Sequence, residues 1–257
     1  MRIFGFVLSG AVALAGCASA SSKGSAPAAA AGSEGAGAAS EAMNTPAGQG
    51  TPPCPRCVLL FDGRSFAGWI DDSEGSWEIR EGAFHGLGKT TGPLYTATDY
   101  GDFRLLFTVR QIGPGHKPNM LVWGKRPAPG EKGSRTLGAI QFQPPLGSMW
   151  DYREGRDDDP MKTGLAERMV PKPAFDPEAW SRCEVLAKMS TGTLRFACCP
   201  LTDAPTCSAQ EMVRFVDPTA AQVGPIALQT HNRGQVQEYK DIWIEPNPTD
   251  DHLVLVP

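Results

Sequence analysis

The 257-residue chain lacks any block of lysine or arginine residues. Its 24 basic and 28 acidic residues leave a formal net charge of −4. A nucleic-acid-binding surface needs a concentrated positive patch, because phosphate contacts supply much of the affinity. The sequence therefore argues against nucleic acid as a partner.

The apolar run at the N-terminus is too short to span a bilayer as a stable helix. It follows Arg2, extends over Ile3–Ala15 and ends in small residues, which is the pattern of an export signal. Leu14, Ala15, Gly16 and Cys17 resemble a bacterial lipobox, in which the cysteine is lipidated and becomes the first mature residue. The alternative is an ordinary cleaved signal in which Cys17 is incidental.

The lipobox interpretation implies a location in the cell envelope. Two or more acyl chains give lasting membrane attachment, so the membrane becomes a partner through Cys17. Ala18 follows the cysteine, where many diderm bacteria use Asp to retain lipoproteins in the inner membrane. We therefore expect an outer-membrane anchor facing the periplasm or the cell surface.

Residues 18–53 contain no aromatic residue and consist mostly of Ala, Gly, Ser, Pro and Thr. Such a segment buries too little apolar surface to offset the entropy of ordering. We expect a disordered tether with a reach of roughly 30–36 Å. The domain plan is thus a signal peptide (1–17), a tether (18–53), a folded domain (54–246) and a C-terminal tail (247–257).

No long amphipathic helix is indicated beyond Val58, and the single short helical candidate is Asp176–Trp180. Phe103, Leu105, Phe107 and Val109 alternate with Arg104, Leu106, Thr108 and Arg110, which predicts a half-buried strand. Turn residues separate the further strands. The pattern favours an all-β sandwich or jelly roll. The other predicted strands are Trp77–Arg80, Ala83–Gly88, Glu184–Lys188, Leu194–Cys198, Gly224–Thr230 and Val236–Ile244.

Seven cysteines are present, of which Cys17 is assigned to the lipid. Cys54 and Cys57 have the spacing of a zinc ribbon or a thioredoxin-like motif, but strand and turn are predicted after them where a redox motif needs a helix. Six cysteines in an exported protein favour up to three disulfides. Cys199 and Cys207 flank a short polar loop, so we predict that these two are bonded. Pairing stays open for Cys54, Cys57, Cys183 and Cys198.

Leu137–Arg153 carries the densest functional pattern. On a strand, Ala139, Gln141 and Gln143 share one face while Ile140 and Phe142 share the other. A Pro-Pro turn then leads to Trp150, Asp151, Tyr152 and Arg153. Amides followed by aromatic and charged residues are typical of a lined groove, and a half-exposed strand with a polar outer face is the alternative.

Several short motifs occur in a fixed order between Val58 and Pro246. They are Leu60–Ser65 (LFDGRS), Gly68-Trp69, Trp77, Glu81-Gly82, Tyr100–Phe103 (YGDF), Gly224–His231 (GPIALQTH) and Tyr239–Ile242 (YKDI). This ordered set resembles the 3-keto-disaccharide hydrolase domain family, formerly a domain of unknown function. The resemblance implies a concanavalin A-like jelly roll of two antiparallel sheets with a sugar groove on its concave face.

The implied chemistry is an elimination. A ketone at C3 of a sugar acidifies the C2 proton, so a base forms an enolate and the C1 oxygen leaves. Such a site needs a general base near C2, an electrophile for the enolate oxygen and an acid for the leaving group. The sequence predicts no cofactor and leaves open whether a divalent cation is that electrophile. Asp157, Asp158 and Asp159 are interpreted as a solvated turn, not as a calcium site.

The candidate catalytic residues are His231, Asp151 and Gln141. His231 matches the family histidine and would be the base or acid, or else a strand-end histidine bonded to its neighbours. Gln141 stands where the family has Glu, and an amide cannot accept a proton as a carboxylate does. Asp151 is the nearest replacement in sequence, and Glu238 lies near another motif.

The candidate substrate-binding residues combine amides with aromatic rings. Flat apolar faces with polar rims suit pyranose rings, although a core position is the usual fate of a tryptophan. Three functions compete: an enzyme that cleaves 3-keto-glycosides by elimination or hydrolysis, which the family resemblance favours, a non-catalytic carbohydrate-binding lipoprotein, and an envelope structural protein with a filled groove. If a groove exists, Gln141, Gln143, Gln229, His231 and Trp150–Arg153 should surround one cavity. The candidate substrate-binding set is Gln143, Gln229, Trp123, Trp150, Tyr152, Arg153 and Asn119.

Overall fold

The computed structural model describes residues 51–113, 115, 117–172, 174–201, 207–230 and 234–257, which form two antiparallel sheets. Within these residues, no helix is long and apolar enough to cross a bilayer. The strands are β1 Val58–Leu59, β2 Trp69–Asp71, β3 Trp77–Arg80, β4 Ala83–Gly86, β5 Gly92–Thr96, β6 Phe103–Ile112, β7 Asn119–Val122, β8 Ile140–Gln143, β9 Ser148–Asp151, β10 Ala166–Arg168, β11 Ser181–Lys188, β12 Thr193–Pro200, β13 Gln210–Val216, β14 Ala227–Thr230 and β15 Val236–Pro246.

The larger sheet has the order β10-β13-β12-β11-β6-β15-β4-β3, with β1 paired to β15. The smaller sheet has the order β2-β5-β14-β7-β8-β9. Strands distant in sequence are therefore neighbours in both sheets, as in a jelly roll. This all-β architecture confirms the predicted fold class.

The core lies between the two sheets and follows the period of two along each strand. Ile140 and Phe142 of β8 are fully buried in it, together with Met120 and Val122 of β7. The neighbouring residues on these strands therefore face outward. The β3–β4 hairpin turns at Glu81 and Gly82, which both have positive φ, as a two-residue hairpin requires.

β6 is buried on both faces, so its predicted half-buried character is wrong. The face opposite the core includes Arg104 at 1% exposure and Leu106 at 0%. Residues 253–256 and the Cys54–Cys57 segment pack on that face of the larger sheet. The C-terminal tail thus forms part of the folded body.

Three disulfides join the six cysteines of the domain. Cys199–Cys207 confirms the pairing that we predicted, and Cys54–Cys57 closes the loop before β1. Cys183–Cys198 links directly opposite residues of β11 and β12. The predicted helix at Asp176–Trp180 is absent, and the described helices are α1 Pro160–Thr163 and a 3₁₀ turn, Pro218–Ala220, each begun by an aspartate cap and a proline.

Candidate functional site

Four amide side chains lie together on the outward face of the smaller sheet. Gln141 and Gln143 face outward from β8, because the residues between and before them pack in the core. Asn119 of β7 is paired with Gln229 of β14. The Gln143 Nε2 donates to Asn119 Oδ1 at 3.3 Å. The structure therefore assembles the four amides that the sequence predicted for one face.

These amides are bonded to one another and are largely buried. Gln141 Nε2 donates to Gln229 Oε1 at 3.0 Å, and Gln229 Nε2 donates to the backbone oxygen of Arg135 at 2.6 Å. Gln141 is 1% exposed and Gln229 is 0% exposed. No carboxylate interrupts this face on β7, β8 and β14, whose outward residues are Asn119, Leu121, Gln141, Gln143, Ala227 and Gln229.

Residues 124–139, which we call the covering loop, close the middle of this face. Leu137 packs against Leu121 and Ala227. Arg126 donates to Asp99 and to the backbone oxygen of Thr96. With these side chains and the Arg135 carbonyl in place, a sugar cannot lie on Gln141 or Gln229 unless the loop moves.

Asp151 does not join the amides. It follows Trp150, which is paired with Gln141, so its side chain points to the opposite face of the sheet. Its carboxylate is fully buried and accepts hydrogen bonds from Nε and Nη2 of Arg153 at 3.0 and 2.7 Å. The prediction that Asp151 replaces the family glutamate at the groove is therefore wrong.

Trp123 also lies away from the outward face. Its indole is 1% exposed within the core, and Nε1 donates to the backbone oxygen of Gly101 at 2.9 Å. The ring has no face on which a sugar could stack, so this predicted role is wrong. Trp150 does face outward beside Gln141, and its Nε1 donates to Asp157.

A cavity of about 1160 Å³ lies beside the amides, between the covering loop and the segments 152–156 and 219–222. Tyr152 and Arg153 line it, and the half-buried Tyr152 ring lies 6.4 Å from the Trp150 ring. Burial raises the pKa of Tyr152, and Asp157 raises it further, so its hydroxyl stays protonated at neutral pH. The predicted residues therefore do not surround one cavity. The amides lie on the outward face of the smaller sheet, and Tyr152 and Arg153 line the cavity beside it.

Arg153 is fixed at this cavity by two carboxylates. Its Nη2 lies 2.7 Å from both Asp151 and Asp217, and Nη1 donates to Thr219 Oγ1. Burial would raise the pKa of Asp217, but hydrogen bonds from Thr219 and Arg153 outweigh it and lower the pKa to about 2. All three guanidinium nitrogens are thus bonded to protein groups, which fixes the orientation of Arg153 at the cavity wall.

The remaining candidates lie elsewhere. His231 and Cys17 are outside the described residues. Glu238 lies on the outer face of the larger sheet, where it bonds to His85 Nδ1 at 2.8 Å and to Arg110. It is therefore not a carboxylate of the amide face. Among the described residues, no group of three or more His, Cys, Asp and Glu side chains could hold a metal ion.

Sequence reasoning missed the covering loop and most of the cavity. The loop reads KRPAPGEKGSRT from Lys125 to Thr136, a polar Gly- and Pro-containing stretch without periodicity. Its hold on the sheet depends on the Arg135 carbonyl and on the amide of Gly133, which donates to Asp72. Hydrogen bonds from backbone groups do not depend on the side chain, so the residue pattern of the sequence does not predict them.

The two packed antiparallel sheets define a jelly-roll β-sandwich. Lectin I-B4 of Griffonia simplicifolia is 9% identical with a TM-score of 0.51, over 75% of this chain and 99% of the lectin, and this likeness shows the fold alone. A carbohydrate-binding module of Bacillus subtilis is 11% identical with a TM-score of 0.47, over 69% and 95% of the two chains.

The family is shown by sequence. Residues 57–245 match the 3-keto-alpha-glucoside-1,2-lyase-like domain, and the chain belongs to this family. A search of curated proteins found no match. The family places the chain among proteins related to carbohydrates. The function of this chain has to be argued from its own site residues.

Proposed function

We propose that this chain is a carbohydrate-binding protein of the cell envelope that keeps the family fold without the family's elimination chemistry. The sugar site is the cavity between the covering loop and segments 152–156 and 219–222. The observation that carries this proposal is the identity, burial and hydrogen bonding of Gln141. An amide stands at the family's glutamate position, where it is buried and bonded to Gln229.

Proton abstraction at that position has no acceptor. A primary amide is not a base at neutral pH, and the adjoining outward positions hold amides or apolar residues. Asp151 and Glu238 are each bonded to an arginine and lie on other faces. A carboxylate cannot replace the family glutamate from either place.

The cavity has the features that sugar binding needs. Tyr152 offers a partly exposed ring whose flat face suits a pyranose. Ser134, Thr136 and Gln222 provide donors and acceptors for hydroxyl groups, and Arg153 has one further N–H on Nη1 beyond those bonded to Asp151, Asp217 and Thr219. Because the covering loop is anchored at Asp72, Asp99 and Gln229, this wall is held in place before a ligand arrives.

The envelope location rests on the N-terminal sequence. Lipidation of Cys17 would fix the chain to the membrane, and the segment 18–53 would let the folded domain reach ligands roughly 30–36 Å away. Palmitate labelling of the full chain in a bacterial host tests this part. A Cys17→Ser variant that keeps the label would overturn it.

Elimination or hydrolysis of 3-keto-glycosides is the second candidate. It is supported by membership of the 3-keto-alpha-glucoside-1,2-lyase-like family and by His231, which follows Gln229 by two positions. The base would then be His231 instead of a carboxylate at position 141. A divalent cation added to the assay would reveal any dependence on an electrophile at the enolate oxygen.

Two measurements on the full chain, purified in detergent, separate the candidates. Calorimetry with neutral and acidic oligosaccharides should show binding that weakens about tenfold in Tyr152→Ala. Trp180→Ala, which removes an aromatic ring from the outer face of the larger sheet, should leave binding unchanged. Loss of binding in both variants, or in neither, would argue against the cavity.

The second measurement is release of free sugar from 3-keto-trehalose and a 3-keto-glucoside, with added divalent ions and with chelator. We expect no turnover from the natural sequence. Turnover that disappears in His231→Ala would establish the enzyme instead. Turnover that appears only in Gln141→Glu would show that this position alone separates the protein from its catalytic relatives.

A further inference from the structure

Three cationic side chains lie close together near the start of β7, at the end of this strand that lies away from the cavity. Lys117 precedes β7, Arg168 ends β10, and Lys172 lies in the segment that follows β10. None of the three forms an ion pair with a described carboxylate, although most arginines of the domain do. The positive charge at this place is therefore not neutralised by the residues that the structure describes.

Hydrogen bonds connect Arg168 to the turn that follows Gln143. The guanidinium of Arg168 donates to the backbone oxygens of Leu146 and Gly147, each at 3.3 Å, in the turn between β8 and β9. In the same turn, the backbone N–H of Gly147 donates to the backbone oxygen of Gln143. Gln143 in turn bonds to Asn119, which is two residues after Lys117. Arg168 is thus held at the turn that follows Gln143, and Gln143 links this turn to Asn119.

One buried donor in this group has no hydrogen-bond partner among the described residues. Asn119 is 0% exposed, and its Nδ2 bonds to none of those residues, whereas its Oδ1 and its backbone oxygen accept from Gln143 and Tyr239. A buried N–H group without an acceptor is costly. An oxygen-rich ligand at this end of the face would supply the missing acceptor.

The charges also repel one another. Burial lowers the pKa of Lys117 to about 8, and the positive charges of Lys172 and Arg168 act in the same direction. Groups whose pKa is shifted by burial and by specific charged neighbours are enriched at functional sites. A bound anion would favour protonated Lys117 and relieve the repulsion.

We propose that Lys117, Arg168 and Lys172, with the amides of Asn119 and Gln143, bind the anionic group of an acidic sugar. The group is a carboxylate or a sulfate ester, since both present oxygens to a guanidinium and to ammonium groups. This inference rests on the proposed carbohydrate-binding function and adds a substrate class to it. Neutral sugars would use the cavity alone, and acidic glycans would engage this end of the face as well.

A glycan fits this site better than a membrane surface does. Electrostatic attachment to anionic lipid takes clusters of four to eight basic residues, on the order of twice the number found here. The chain as a whole carries a net charge of −4, which opposes broad adsorption to anionic lipid. Amides beside the cations also match the hydroxyl groups that flank an acidic substituent on a sugar.

Calorimetry on the full chain in detergent tests the proposal with four probes: oligogalacturonate, a sulfated oligosaccharide, a neutral oligosaccharide of equal length, and inorganic sulfate. We expect one or both acidic oligosaccharides to bind at least about tenfold more tightly than the neutral one. Lys117→Gln should remove that difference and leave neutral binding unchanged. Lys240→Gln, which removes a positive charge from the outer face of the larger sheet, should change neither affinity.

The other outcomes overturn the inference in distinguishable ways. Equal affinity for neutral and acidic probes would leave the proposed function standing and refute the acidic site. Binding of sulfate as tight as that of the oligosaccharides would mean a simple anion site. Binding to vesicles of anionic lipid that Lys117→Gln abolishes would mean a membrane contact, and no binding to any oligosaccharide would refute the proposed function as well.

Titration provides a second readout that a structural role would not produce. Lys117, which faces Lys172 and Arg168, loses its proton above about pH 8. Affinity for the acidic probe should therefore be constant below that pH and fall as the pH rises further. Lys117→Arg keeps the charge at all these pH values, so its affinity should not fall. A fall of the same size in both proteins would contradict the assignment of Lys117.

Discussion

Gln141 combines the two properties that decide the chemistry of the outward face. Its amide is uncharged, and its Nε2 is committed to Gln229 Oε1, whose own Nε2 is committed to the Arg135 carbonyl. A carboxylate at position 141 would face the oxygen of Gln229 in a buried setting. The side chain therefore stabilises the covering loop through Gln229, a role that a glutamate could not fill without rearrangement.

Gln141→Glu should destabilise the fold by about 2–4 kcal/mol near neutral pH, because a buried carboxylate would lack a donor. Burial would raise the pKa of the new carboxyl above its unfolded value. The destabilisation should then be small below about pH 4 and grow as the pH rises. Urea denaturation at several pH values measures this effect. Gln143→Glu, at a half-buried position, is the matched control and should cost much less; equal costs at all pH values would refute the argument.

Asp217 makes a pH-dependent contribution of the opposite sign. Its pKa is lowered to about 2 in the folded protein, against an ordinary value near 3.8. A lowered carboxyl pKa stabilises the fold above the unfolded value and loses that contribution as the pH falls to the folded value. Asp217→Asn should therefore be less stable than the natural protein by about 2 kcal/mol near neutral pH.

The difference between Asp217→Asn and the natural protein should vanish as the pH falls from about 4 to about 2. Denaturant unfolding of both proteins across this range measures it, and the difference between the two proteins cancels the contribution of the other carboxylates. A constant difference at every pH would mean that Asp217 acts through packing and not through its bond to Arg153.

At the scale of elements, strand parity predicted the amide face, whereas nearness in sequence did not place Asp151 on that face. Counting by two placed Gln141 with Gln143 on β8, and the same count placed Gln229 on the outward face of β14. Asp151 was misplaced because the residues between β8 and β9 set the pairing. That pairing puts Trp150 opposite Gln141, so Asp151 points to the other face. Register across a turn depends on its backbone path, which sequence pattern does not specify.

The position of the covering loop could not be predicted from hydrophobic periodicity either. Its buried apolar anchors, Leu137 and Ala139, come just before β8 and cluster with Leu121 and Ala227 from distant strands. Nothing in the sequence around Leu137 distinguishes it from a residue inside the core. The sequence consequently predicted an open groove, where the structure has a closed face with a cavity at its side.

Leu137→Ala should weaken the closure of this loop. Loss of a buried leucine costs about 2–4 kcal/mol when the surroundings cannot collapse. We expect the loop to detach before the sandwich unfolds, so trypsin should cut faster after Lys132 and Arg135 while the global unfolding free energy changes less. Val223→Ala, at a 62% exposed position, is the control. Unchanged proteolysis together with a full global loss would mean that loop and sandwich unfold as one unit.

At the scale of the molecule, both ends of the folded domain converge on one buried ionic cluster. Arg104 of β6 bonds to Glu184 and to Glu245, and also reaches the backbone oxygen of His252. Glu245 bonds to Arg56 in the Cys54–Cys57 loop. The charges of Arg104 and Glu184 were not predicted to be buried, since the residues that cover them come from opposite ends of the domain.

The cluster explains why the C-terminal segment is ordered. Burial raises the pKa of Glu184, and the amides of Val254 and Leu255, together with Arg104, act in the opposite direction by donating to its carboxylate. Without the segment, this carboxylate would lose two of its donors. The tail is therefore needed to satisfy a charge that the larger sheet already buries.

Leu253→Ala tests whether the tail and the sandwich unfold together. Leu253 is 2% exposed and packs on Leu186 and Ala197, so truncation should cost about 2–4 kcal/mol. If the ionic cluster couples the tail to the sheets, the full loss of stability should appear in the global free energy of unfolding. Detaching the tail would remove two donors from the buried Glu184 carboxylate. Asp251→Ala, on an exposed side chain, should have little effect. Hydrogen exchange at Val254 and Leu255 that quickens without a change in global stability would instead show a tail that opens by itself, and the cluster would then be too weakly coupled to fix the ends of the domain.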